Sequence, residues 1–197
     1  MTTGPKFLQQ HGNFRDLVVF QKTECIFDIT YYFVHHYLDG KDRTVDQMMQ
    51  AARSGKQNIA EGCSAGTTSS ETEIKLLNVA RASLDELLLD YEDYLRNRNL
   101  EKWDFNSPKG IQARRVCMAH NDSKYYRDAI LVRSDGAIAN IAITLIHQAH
   151  TMLLRLIESN EKLFLENGGI KEQMFRARTT YREEQKYRQN NENCSPK

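Results

Sequence analysis

The sequence predicts an all-α protein, an up-down four-helix bundle with additional C-terminal helical segments. Three observations carry that prediction. Apolar residues return at intervals of three and four over long stretches, the period of one helix face. Ten glycines and three prolines punctuate 197 residues too rarely for a many-stranded sandwich or barrel, which needs a turn roughly every 8–12 residues. A hydrophobic share of 40%, with 27% charged and 9% aromatic residues, belongs to a chain that folds around its own core without disulfide staples.

Each element has its own signal. From Leu17, the positions Phe20, Phe27, Tyr31, Val34 and Leu38 form one face, and Gly40 follows where a helix commonly ends. Thr44 with Gln47 reads as a capping box opening a second helix through Met48, Met49, Ala52 and Ile59. Its middle, Ala51 to Gly55, is built of small residues apart from Arg53, and Gly55 costs a helix about 1 kcal/mol, so close packing or a close ligand is expected there. Gly62 to Ser70 reads as a loop, closed by a capping box of Ser70 and Glu73. The third helix, Glu71 to Asn97, has the clearest stripe: Ile74, Leu77, Arg81, Leu84, Leu88, Tyr91 and Leu95.

Ser107-Pro108 is a strong helix entrance, so a short helix is expected through His120, with another turn or two over 125–132. Ser134-Asp135 opens the fourth long helix, carrying Ile138, Ile141, Leu145, Met152 and Leu156 and ending near Asn167-Gly168-Gly169. The bundle is thus placed at 14–167, with an inserted helical segment at about 107–133. Residues 168–197 are read as a polar, basic helix fading into a disordered end from Asn190.

Twenty-seven Lys plus Arg against 26 Asp plus Glu give a net charge of +1, which does not by itself announce a nucleic-acid binder. The charge is unevenly spread: residues 61–110 hold six bases and ten acids, whereas 111–197 hold fourteen bases and ten acids. Cys25, Cys63, Cys117 and Cys194 show no short paired spacing and read as reduced thiols of a cytoplasmic protein. No leader pattern or apolar run of membrane-crossing length is read, so the protein is expected to be soluble.

Catalytic chemistry does not emerge. A di-metal bundle site needs Glu-x-x-His pairs, and none occurs. His147 and His150 lack a third ligand of matching pattern, adjacent His35 and His36 point to different faces, and Cys63 has no base placed beside it. No phosphate-cradling glycine loop of standard spacing is present. A non-enzymatic protein without cofactor or metal is expected.

The polar residues out of place are basic. Arg81 occupies a seam position, and its charge is either paired, with Glu61 as the structural partner, or held on a surface that closes on assembly or binds phosphate. Arg53 and Lys56, beside Gly55, carry the same two readings. Lys109, Arg114 and Arg115 form one basic cluster; Arg176, Arg178 and Arg182, interleaved with Phe175 and Tyr181, form another. Arginine neutralises phosphates and aromatic rings stack on bases, the chemistry of sequence-tolerant nucleic-acid binding. The competing reading is a solvated face, diluted by Glu172, Glu183 and Glu184.

Motif order adds a resemblance. Phe14-Arg15-Asp16-Leu17 precedes the first helix, Asn58-Ile59-Ala60-Glu61-Gly62 closes the second, and Ala80 to Leu87 lies within the third. This resembles the four-helix-bundle family of 23S rRNA intervening-sequence proteins, to which the accessory protein of diversity-generating retroelements is also similar. The run Asp46 to Gly62 looks closer still to its four-helix-bundle suffix-domain branch. The resemblance covers roughly 14–100 and 135–165. It implies a bacterial, non-enzymatic homopentameric ring whose basic surfaces contact RNA or DNA, with a protein partner as the alternative. Arg53, Gly55 and Lys56 stand where that family usually has apolar residues or proline, and Ala82 where it has glycine.

Overall fold

The computed structural model describes residues 13–193. The protein is all-α: among the described residues there is no strand. A short 3-10 turn, Phe14–Asp16, leads into α1 (Val18–Tyr37), followed by α2 (Arg43–Gly66) and α3 (Ser70–Asn97). Next come α4 (Pro108–Ala119), α5 (Ser123–Ile130), α6 (Asp135–Asn167) and α7 (Ile170–Asn193).

The boundaries around α2 and the start of α3 differ from expectation. Asp42, not Thr44, caps α2, its carboxylate accepting from the Thr44 N–H at 2.9 Å. The loop expected from Gly62 to Ser70 is confined to 67–69, because α2 continues to Gly66 and Ser69, not Ser70, caps α3, with its side chain taking the Thr72 N–H. Gly62 and Gly66 look like loop residues but are buried, because their missing side chains let α3 approach; a Cβ on Gly62 would sit 3.4 Å from the Glu73 carbonyl. Gly55 serves the same contact, its absent Cβ lying 2.9 Å from Leu84. Helix propensity is surrendered for proximity, and a close ligand is not needed to explain it.

α1 packs on α2, α5 and α6, and α3 packs on α2 and α6. The shared core holds Ile26, Ile29, Phe33, Leu84, Leu87, Tyr91, Ile138 and Ile146. Phe33 meets the Tyr91 and Tyr94 rings at 5.0 and 4.6 Å, and both phenols find acceptors. Tyr91 donates to Thr30 at 3.0 Å, and Tyr94 to Asp135 at 2.8 Å. The second bond puts the end of α3 against the start of α6, so these helices run antiparallel.

Ser107 and Pro108 open α4 as the sequence predicts, and Ser134 caps α6. The helix assignment of α7 runs to Asn193, and residues 194–197 lie outside the described part. No side chain from 170 to 189 is buried. The helical stretch Asp135–Gln189 includes an 18-residue window long and apolar enough to cross a bilayer, and half of that window is buried inside the protein.

Candidate functional site

The site is assembled from residues that packing, not spacing, brings together. Asn140 on α6 is buried and bonds in three directions: its amide donates to the Gly136 carbonyl at 2.7 Å and the Glu101 carbonyl at 2.8 Å, and its oxygen accepts from the Trp103 N–H at 2.7 Å. A buried amide so satisfied fixes the backbone that it holds. It ties the strap between α3 and α4 onto α6. Gly110 closes the other side, since a Cβ there would meet the Asp104 carbonyl. Gln148 then bridges α6 to α4 by donating to the Arg114 carbonyl at 3.1 Å.

Between the strap, α4 and α6 opens a cleft of about 850 Å³. Its cations are Lys102, Arg114 and Arg155; Trp103 and Phe105 supply aromatic faces, and Asp104 is its single acid. The Arg114 Cζ lies over Phe105, 3.4 Å from the ring centre, and the guanidinium also donates to the Phe105 carbonyl. These two contacts hold the guanidinium in place at the cleft. Lys102 leans on Glu92 at 2.5 Å, whereas Arg155 has no carboxylate partner among the described residues. His147 also lines the cleft, and desolvation of its ring, followed by the nearby Lys102 charge, lowers its pKa, so the imidazole is neutral at pH 7. His150 faces Asp85 at 3.8 Å. The two histidines do not join a metal cage: among the described residues no three His, Cys, Asp or Glu side chains cluster.

Of the basic residues singled out from sequence as nucleic-acid contacts, only Arg114 lines this cleft, and His147 and His150, weighed there as metal ligands, line it too. Lys109 stands outside it, paired with Glu101 at 2.6 Å, and Arg115 is an exposed neighbour on another face of α4. Lys56 lies over the Phe27 ring at 4.2 Å, a stabilising cation–π contact with α1, while Arg53 is exposed. Arg176, Arg178 and Arg182 are exposed on α7.

Arg81 does not pair with Glu61, which is exposed. It is half-buried, with a 3.5 Å reach to Asn78 and a buried Nε that has no partner. The small-residue contact explains the miss. Where Gly55 and Gly62 bring α2 against α3, Leu84 and Leu77 fill the join, and Arg81 lies on another face of α3. Lys102 and Arg155 are the cleft cations that sequence reasoning passes over. Trp103 and Phe105 before a Ser-Pro helix start are the one local signal pointing toward them.

No protein-family model, curated protein or solved structure matches the chain.

Proposed function

We propose that this protein is a non-enzymatic, nucleic-acid-associated accessory protein of the bacterial cytoplasm, built as an up-down four-helix bundle of α1, α2, α3 and α6 that assembles into a homo-oligomer, a pentameric ring. One observation carries the nucleic-acid reading: a single cleft gathers Lys102, Arg114 and Arg155 around Trp103 and Phe105. Cations gathered in one cleft suit phosphates, and the aromatic and guanidinium groups suit unstacked bases. The resemblance to the 23S rRNA intervening-sequence family supports the same reading. Self-association is supported by apolar side chains left at the surface, notably Leu89 on α3 and Phe175 and Tyr187 on α7. Ring assembly would repeat the cleft around an axis and multiply a modest local charge.

The test is affinity for a single-stranded oligonucleotide against salt. Three phosphate contacts per subunit give a slope of about −2 in log affinity against log salt. Arg114→Ala is expected to lower that slope by about 0.7 and Arg155→Ala by a similar amount. Arg115→Ala, or removal of 176–197, reports whether the exposed basic faces contribute as well. No binding at low salt refutes the reading. A purely structural scaffold with a protein partner is then left, and the exposed apolar residues of α7 are the observation in its favour.

A further inference from the structure

A second cavity lies on the other side of Trp103. It is a half-open pocket of about 250 Å³ between α4, α5 and Ile141 of α6. Val116, Tyr126, Ile130 and Ile141 make its wall apolar. Packed interiors leave few voids larger than a water molecule, and water in such a wall finds few partners. The space suits an apolar guest.

The rim supplies the other half of the guest. Two cations stand there, Lys109 and Arg133. Lys109 is matched by Glu101 at 2.6 Å. Arg133, in the turn after α5, has no carboxylate partner among the described residues and spends one NH group on the Ala129 carbonyl of that helix. A planar guanidinium with donors to spare is suited to a carboxylate, which it can hold through two parallel bonds.

We propose that this pocket binds a medium-chain monocarboxylate, the alkyl tail among Val116, Tyr126, Ile130 and Ile141 and the carboxylate on Arg133. A pocket of about 250 Å³ admits an alkyl tail of medium length. An alkylamine of the same length is rejected by the charge of the rim, and a short acid leaves the apolar wall unfilled.

The chain has one tryptophan, and it lines the pocket, so its fluorescence reports occupancy. The full-length protein is titrated with octanoate, octanol, octylamine and acetate, with calorimetry alongside. Octanoate is expected to give a saturable change, octanol to bind at least about tenfold more weakly, and octylamine and acetate to give none. Arg133→Gln, at an exposed position, is expected to weaken octanoate about tenfold while leaving octanol unchanged. Ala129→Phe, which fills the pocket, is expected to abolish both, with an unchanged far-ultraviolet spectrum confirming its fold. The proposal is overturned by no saturable signal with octanoate in either measurement, by equal affinity for octanoate and octanol, or by octanoate binding indifferent to Arg133→Gln. Undiminished binding to folded Ala129→Phe would put the ligand elsewhere and overturn it equally.

Discussion

Lys22 is a buried cation on α1 with its ammonium among oxygen atoms of the α4–α5 corner. Nζ donates to the Cys117 carbonyl, to Asn121 Oδ1 at 2.7 Å and, more distantly, to the His120 carbonyl at 3.5 Å. Burial lowers its pKa, with the Cys117 and Cys25 thiols opposing that shift. Those bonds pin the inserted segment to the core. Lys22→Met fits the apolar surroundings but strands two carbonyls and an amide oxygen, so a loss of about 1–3 kcal/mol is expected by denaturant unfolding. The thiols make a second prediction. Burial raises Cys25 from 9.0 to about 12 and Cys63 to about 11. The folded protein keeps protons that the unfolded chain releases above pH 9, so this contribution is complete below pH 9 and is lost as pH rises through 11 and 12. Tyr91 and Tyr126, raised by burial, act in the same direction; Lys22 acts in the opposite one, and the acids outnumber it. Thermal midpoints are therefore expected to fall from pH 9 upward, and less steeply in Cys25→Ala. An unchanged slope in that variant would disprove the assignment.

The α2–α3 pair shows how an element's composition is set by its neighbour. Gly55 sits in the middle of a helix, where alanine would gain about 1 kcal/mol of propensity. In this position the added Cβ comes within 2.9 Å of Leu84 Cδ2 and 3.1 Å of its Cγ, and Leu84 is fully buried. Overpacking costs about 1–3 kcal/mol, which outweighs the gain. Gly55→Ala is expected to lower the thermal midpoint, whereas Gly40→Ala, with open space around it, is expected to leave it nearly unchanged. A stabilised Gly55→Ala would mean that Leu84 has room to move. The inserted pair α4 and α5 follows a different rule. α4 is placed from outside, by Ser107 at its start and by Gln148 reaching over from α6.

For the whole molecule, the question is whether the surface left by one chain is meant for another. Leu89, Phe175 and Tyr187 are each more than half exposed, and single exposed apolar residues are ordinary, but α7 offers a helix without a buried side chain over 170–189. A helix so polar gains little stability alone in water. Solution mass by light scattering is expected near about 115 kDa, five copies of the 22.9 kDa chain. A 22.9 kDa species at high concentration would remove the ring. The helices were legible in the sequence because apolar period and caps are local: Ser107, Pro108 and Ser134 mark starts that the structure keeps. The loop expected at 62–70 shrinks to 67–69 because glycine signals both turns and close packing, and only the neighbour distinguishes them.

By itself, the sequence determined that this chain is helical, since that follows from a period read along neighbouring residues; the buried face of α1 it misplaced, because Ile26, Ile29 and Phe33 turn inward there and Tyr31 stays exposed. Tertiary structure alone decided the site. Lys102, Trp103, Arg114, His147 and Arg155 span three separate segments, and they meet because buried Asn140 and half-buried Gln148 bond across α6 to the strap and to α4. Such bonds join residues 34 to 39 positions apart, a distance at which local patterning carries no information.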